Sequence, residues 1–322
     1  MSRRRKRLSG ILFLFALVFC FLCTGGCGHK SVSSVQKPEE KSTRGKTEEE
    51  IPDYYHKGGC FLPKADGKKT EDYEDIRMDL SHTDQGYFMI AYSGKAGKLL
   101  VRLEGEDGIA YRYYLSGDGK YNALPLTAGD GKYTVTACEN IGEDRYAVIF
   151  SEEISVKLEN PILPFLYSNQ YVRFNEKTEA VKLAGKLTKG KTELEAVQEV
   201  YNYVIRNISY DNEKAESVQS GYLPDVDETL ASGKGICFDY AALMTAMLRS
   251  CGIPTRLDIG YATDIYHAWI SIYLDEKGWV DHIIQFDGKD WTLMDPTFAS
   301  GDSDGIEEYI TDPSNYDLEY IH

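Results

Sequence analysis

Between Gly86 and Leu158 apolar and polar residues alternate in short bursts: YFMIAYS, KLLVRLE, IAYRYYL, KYTVTAC, RYAVIF and EISVKL. A period of two buries one side of each burst and wets the other, the pattern of half-buried strands. Turn-like breaks separate the bursts, among them Gly105-Glu106-Asp107-Gly108, Gly117-Asp118-Gly119 and Gly129-Asp130-Gly131. Asp-Gly supplies the positive φ that tight hairpins need. Six or seven short antiparallel strands with turns about every ten residues predict an immunoglobulin-like β-sandwich over residues 51–160.

Beyond residue 190 the period lengthens. Leu194, Val197, Val200, Tyr201, Val204, Ile205 and Ile208 recur at three and four, one face of a helix, and Thr192 with Glu195 makes a capping box at its start. A second helix is expected from Cys237 to Cys251, with Tyr240, Leu243, Met244, Met247 and Leu248 on one side and Gly252 and Pro254 ending it. RLDIGY, HAWISIY, GWVDHIIQF and WTLM then read as strands. Helices followed by a run of strands predict an α+β domain over residues 161–322.

The first 50 residues follow neither period. Arg3, Arg4, Arg5, Lys6 and Arg7 precede an apolar run from Ile11 to Leu22 and then small residues, which are the three regions of a secretory signal over residues 1–26. A run of that length falls short of the roughly 20 residues that cross a bilayer. Leu22-Cys23-Thr24-Gly25-Gly26-Cys27 resembles a bacterial lipobox, which implies acylation of Cys27 and an extracytoplasmic chain held to the membrane by lipid. Residues 27–50 are polar and charged, as in a disordered tether.

A chain of 322 residues with 42% hydrophobic content has material for about two domains. Its 36 Lys and Arg against 51 Asp and Glu give a net charge of −15 at pH 7, and the leader holds five of those cations and no acid. A nucleic-acid binder would carry the opposite sign. Gly185 to Thr192 satisfies the phosphate-loop pattern, but the polar stretch before it reads as helix rather than buried strand, so no nucleotide is expected. The acidic turns, Asp302-Ser303-Asp304-Gly305 included, lack the ligand spacing of a calcium loop. Cys60, Cys138, Cys237 and Cys251 stand in no metal-ligand spacing. Pairing of Cys60 with Cys138 is left open by the sequence. No metal and no cofactor is expected.

Candidate chemistry lies in three segments: Gly233-Lys234-Gly235-Ile236-Cys237-Phe238-Asp239-Tyr240, Tyr266-His267-Ala268-Trp269, and Trp291-Thr292-Leu293-Met294-Asp295-Pro296-Thr297. Cys237 falls in the first turn of a helix, where unpaired N–H groups and the helix dipole favour a thiolate. His267 opens a strand that can hold an imidazole against the sulfur, and Asp295 ends another from which a carboxylate can fix the imidazole tautomer. Cys251 sits on the apolar face at a helix end and reads as an inert thiol. His56, His82, His282 and His322 have no comparable setting.

These segments resemble the transglutaminase-like superfamily of papain-type cysteine enzymes from Thr192 onward, most closely from Gly233 to Phe298. GKGICFDYAALMTAMLRSCGIPTR is similar to its nucleophile helix, YHAWISIYL to its His strand and WTLMDPTF to its Asp strand. The resemblance implies that Cys237 is the nucleophile, His267 the general base and acid, and Asp295 the orienting carboxylate. Asp281, after Gly278-Trp279-Val280, is a rival for the third role, but only Asp295 precedes Pro-Thr. Tyr210, Tyr222 and Tyr240 are unranked candidates for a second oxyanion donor beside the Cys237 N–H. The implied function is acyl transfer from amides of protein or peptide substrates at the cell envelope, by a peptidase or amidase. Cross-linking transglutaminases and non-catalytic scaffold modules share the fold, so the fold leaves the reaction open.

Overall fold

In a computed structural model of the chain, the alternating bursts form two four-stranded sheets. The structure describes residues 54–55, 60–142, 145–262, 265–281, 284–286, 291–293 and 316–322. Eight strands come first: β1 (Thr70–Tyr73), β2 (Ile76–Asp79), β3 (Tyr87–Tyr92), β4 (Lys98–Glu104), β5 (Ala110–Ser116), β6 (Asn122–Pro125), β7 (Gly131–Gly142) and β8 (Arg145–Val156). They pair antiparallel in the orders β1-β2-β3-β6 and β5-β4-β7-β8. Alternation decides what enters the shared core: Leu99, Val101 and Leu103 of β4 and Tyr111, Tyr113 and Leu115 of β5 are buried in it together with Phe88, Ile90 and Tyr92 of β3.

RYAVIF and EISVKL prove to be one strand, β8, because a register shift between Ala137 and Cys138 absorbs the break in alternation. All six residues of β3 are buried. Phe88, Ile90 and Tyr92 face the shared core, while Tyr87 and Met89 pack under Tyr167. Covering both faces turns an alternating strand into a continuous apolar run.

The second half contains α1 (Glu179–Leu187), α2 (Glu193–Asn207), β9 (Ser209–Tyr210), α3 (Asn212–Ser217), α4 (Val226–Ser232), β10 (Lys234–Gly235) and α5 (Cys237–Ser250). After these come β11 (Thr255–Ala262), β12 (Ile265–Leu274), β13 (Gly278–Val280), β14 (Ile284–Phe286), β15 (Trp291–Leu293) and β16 (Tyr316–Ile321). The expected capping box is present, with Thr192 accepting from the Glu195 N–H and Glu195 accepting from the Thr192 N–H. Gly185 to Leu187 lie inside α1, which is not the geometry of a phosphate loop. Every residue of α5 from Asp239 to Arg249 is buried, as a helix enclosed on all sides must be. Helices α1, α2 and α4 and strands β11 and β12 pack around it. GWVDHIIQF splits between β13, at the edge of the sheet β13-β12-β11-β16, and β14, which pairs with β15. The mixed sequence YDLEYI gave no strand signal, yet β16 pairs beside β11.

Residues Glu49–His322 pack as one compact unit, mixed α+β in class. The free edge of β5 meets the chain entering the second half, where Gln170 accepts from the Tyr114 N–H at 3.0 Å and donates to the Tyr114 carbonyl at 2.7 Å. The Tyr171 hydroxyl donates to the Arg112 carbonyl at 2.6 Å. An open strand edge is thereby closed by side chains. Arg249 is fully buried and donates to the carbonyls of Thr255, Tyr167 and His322 at 2.8, 2.8 and 2.7 Å. Cys60, Cys138, Cys237 and Cys251 are free thiols, so Cys60 and Cys138 do not pair.

Candidate active site

Gly233 ends α4 in the left-handed conformation, φ 64°, where a side chain would be strained. Gly235 then passes so close to Asp239 that a Cβ there would meet the Asp239 Cβ at 2.6 Å. These two glycines let the chain turn through an extended Ile236 into α5, with Cys237 as the first helical residue. Parallel pairing of β10 with β9 sets Gly235 beside Tyr210. Cys237 thus stands at the helix end where N–H groups lack intrahelical partners and the dipole is positive.

Asp239, in the same turn, is fully buried. Its Oδ2 accepts the Ile236 N–H at 2.8 Å and lies 2.7 Å from Lys214 Nζ, while Oδ1 accepts the Tyr222 hydroxyl at 2.5 Å. Lys214 Nζ also sits 4.6 Å from the centre of the Tyr222 ring. Burial, then the hydrogen bond to Asp239, push the Tyr222 hydroxyl up to about 12. Burial works against the Lys214 ammonium, but Asp239 and Tyr222 outweigh it and hold it above the ordinary lysine range. Helix α3, through Lys214, and the segment after it, through Tyr222, are therefore both tied to the first turn of α5.

His267 is the third residue of β12 and only 4% exposed. Ala268, Ile270, Ile272 and Leu274 enter the helix-packed core, so His267 belongs to the alternate set with Trp269. Their rings stack at 6.2 Å and 24°. Gly260 stands across from His267 on β11, where a Cβ would meet the Asp317 carbonyl oxygen at 2.0 Å. Cys237 and His267 border one cavity of about 480 Å³, with Tyr210, Tyr222, Phe238 and Tyr266 among its walls. Asp295 and Cys27 lie outside the described residues. The rival Asp281 is described: its side chain is 60% exposed and 4.0 Å from Arg256, and it is not among the described walls of the cavity.

Residues 181–282 match the model of the transglutaminase-like superfamily, a span that contains both Cys237 and His267. The chain carries a transglutaminase-like domain. Within the chain, 114 residues are 32% identical to UPF0252 protein MJ1282 of Methanocaldococcus jannaschii, over 32% of each chain. Another 27% identity over 173 residues links it to the uncharacterized protein YebA of Bacillus subtilis, over 47% of this chain and 22% of that one. The chain thus spans a third or less of the length of these two relatives. A solved structure described as a candidate cysteine protease, from Cytophaga hutchinsonii, aligns at 16% identity with a TM-score of 0.37, covering 79% of this chain and 73% of that one.

Two of the three tyrosines considered as oxyanion donors in the transglutaminase-like domain have their hydroxyls committed elsewhere. Tyr240 is buried and donates to the Ile208 carbonyl at 2.7 Å, and Tyr222 donates to Asp239. Tyr210 is 37% exposed, borders the cavity, and is held above the ordinary tyrosine range chiefly by burial. Cys251 caps the far end of α5 and contacts Thr188 Oγ1 at 3.4 Å, and burial pushes its thiol up. Among the described residues no group of three His, Cys, Asp or Glu could hold a metal ion.

His82 and His322, given no chemistry by the sequence, have structural positions. His82 Nε2 lies 3.0 Å from Asp66 Oδ2, and His322 stacks on Tyr171 at 3.7 Å. His56 and His282 lie outside the described residues. Asp239 is the site residue that sequence reasoning missed. Its signal was present, an acid three residues after the helix entry as at Glu195, but Ile236 in place of Ser or Thr hides half of the capping box.

Proposed function

We propose that the transglutaminase-like domain is a cysteine-dependent acyl-transfer enzyme with Cys237 as nucleophile and His267 as general base and acid. One observation carries this reading: a cysteine at a helix N-terminus and a buried strand histidine border the same cavity. The Cys237 thiolate adds to an amide carbonyl carbon, and protonated His267 gives its proton to the amide nitrogen as the C–N bond breaks, leaving a thioester and a free amine. Water then attacks the thioester, passing a proton to His267, and the acid leaves with the sulfur again a thiolate. Asp295 is assigned the orienting carboxylate, and the Cys237 N–H with the Tyr210 hydroxyl the oxyanion donors.

The substrate is a protein or peptide at the cell envelope, with water as acceptor. In this reading the leader exports the chain and lipid on Cys27 holds it to the membrane, which the lipobox-like run Leu22 to Cys27 supports. The first eight strands are assigned to the immunoglobulin-like class. Strands β2, β3 and β6 in one sheet and β5, β4, β7 and β8 in the other follow the order in which the second strand pairs the fifth and the third pairs the sixth.

The test is the rate of iodoacetamide alkylation at Cys237 against pH, read by peptide mass spectrometry, with Cys251 as the internal control and His267→Ala beside the wild type. Rapid labelling below pH 7 that the substitution slows is expected. Labelling as slow as that of an ordinary thiol, which titrates near about 8.5, and indifferent to His267 would exclude the enzyme and leave a binding module.

A further inference from the structure

The cavity beside Cys237 has walls of unusual composition for so acidic a chain. Five of its lining residues are tyrosines, and among the described residues no Asp, Glu, Lys or Arg lines it. Several wall residues also have their polar ends directed at other protein groups. Tyr171 donates to the Arg112 carbonyl, Tyr222 to Asp239, and the Gln170 amide is occupied on both sides by Tyr114. What these three can offer a ligand is carbon surface. Of the charges adjoining this wall, Lys214 and Asp239 are paired with each other at 2.7 Å, Asp239 being fully buried, and Lys98 Nζ lies 4.2 Å from the centre of the Tyr114 ring.

We infer that this cavity selects an uncharged apolar or aromatic side chain on the acyl side of the scissile amide and rejects acidic and basic ones. The inference rests on the acyl-transfer reading of Cys237. The proton step requires the leaving nitrogen within reach of His267 on β12, and the acyl part is assigned to the walls that include Phe238 and the segment at Val218 to Leu223. An aromatic ring or branched aliphatic chain there loses water and gains contact with rings. Away from the Cys237–His267 pair, a carboxylate or ammonium would lose its hydration with no Asp, Glu, Lys or Arg among the described wall residues to replace it. About 480 Å³ is room for such a side chain and its flanking backbone.

The test uses the full chain and a set of dipeptide acyloxymethyl ketones that share one reactive group and carry Phe, Leu, Ala, Glu or Lys next to it. Each alkylation rate at Cys237 is divided by the iodoacetamide rate of the same preparation. Phe and Leu probes are expected to exceed Glu and Lys probes by about tenfold or more, a difference of about one factor of ten in affinity. Rates within about twofold across the set, or a lead for Glu or Lys, overturn the inference. Val218 is on the rim and 36% exposed, so Val218→Glu places a carboxylate in the wall without emptying a core. It should raise the Lys probe against the Phe probe by about tenfold, and an unchanged ratio again overturns the inference. Protection of Cys237 from iodoacetamide by N-acetyl-phenylalaninamide, but not by the lysine or glutamate amides, reads the same preference without any catalytic step. An ordinary slow thiol that is nonetheless protected in this order would sink the acyl-transfer reading alone, whereas equal protection by all three amides sinks the pocket preference.

Discussion

Helix α5 carries a fully buried charge near each end, and the two ends are held by different kinds of partner. In the first turn Asp239 is bound by a lysine, a tyrosine hydroxyl and one backbone N–H. In the last, Arg249 is bound by three backbone carbonyls drawn from separate parts of the fold. Both signs suit the helix dipole. A second buried acid, Asp258 on β11, sharpens the contrast: it accepts the Ser271 hydroxyl at 2.5 Å, and among the described residues its Oδ1 has no partner. Beside the cavity, then, the acid is held mainly by side chains. Behind the helix, the carboxyl is pushed up to about 7 by burial, and the charge that remains is fixed to backbone. The end beside the cavity, held by side chains, is the adjustable one, and the end that welds the elements together is held by backbone.

The largest effect should come from breaking the welded end. Arg249→Met keeps the volume and leaves the carbonyls of Tyr167, Thr255 and His322 without their donor, at an expected cost of about 3–5 kcal/mol in urea unfolding at pH 7. Per folded molecule, Cys237 labelling should be unchanged. A loss under about 1 kcal/mol would mean that water replaces the guanidinium and that the two ends are not so different.

Asp258 gives the contrast a pH dependence. Its folded value of about 7 stands above 3.8 for the unfolded chain, raised mainly by burial against the pull of Ser271, Arg256 and Arg249. Between those values the unfolded chain has released its proton and the folded one retains it, so this residue's contribution to stability falls as pH rises from about 4 to about 7 and is level above. The total is a few kcal/mol. Unfolding free energies of the wild type and Asp258→Asn, measured at steps through that window, should therefore diverge in favour of the substitution as pH rises. A constant difference would place a charged, satisfied carboxylate at Asp258.

Next in size is Asp239→Ala, which strands the Ile236 N–H and the Tyr222 hydroxyl and should cost about 1–3 kcal/mol. Unlike Arg249→Met, it should also slow the dipeptide probes at Cys237 more than it slows iodoacetamide, because the cavity wall shifts while the thiol stays exposed. Little of this contrast was legible beforehand. Periodicity located α2 and α5 to within a residue, since long amphipathic or apolar runs with caps are strong local signals, and motif order picked out Cys237 and His267. It did not find β16, whose YDLEYI owes its place to pairing with β11 rather than to its own pattern. It also split β8 in two, because a bulge resets alternation. Nothing in the local pattern marks Arg249 and Asp239 as buried. Only tertiary partners far along the chain, Tyr167 and His322 for one and Lys214 and Tyr222 for the other, make them core residues.

The smallest effect is the most informative about the adjustable end. Tyr222→Phe removes one hydroxyl, keeps the ring in the cavity wall, and leaves Asp239 with Lys214 and the Ile236 N–H. Losing one hydrogen bond to a charged group should cost about 1 kcal/mol. If the Tyr222–Asp239 tie positions the wall, the Phe probe should lose rate at Cys237 by about threefold to tenfold, while the preference for Phe over Lys survives, since the carbon surface that sets it is intact. If the tie is only structural, stability falls by the same amount and every probe rate stays put. Abolished preference with unchanged stability would instead mean that the Tyr222 hydroxyl itself, and not the ring, meets the substrate.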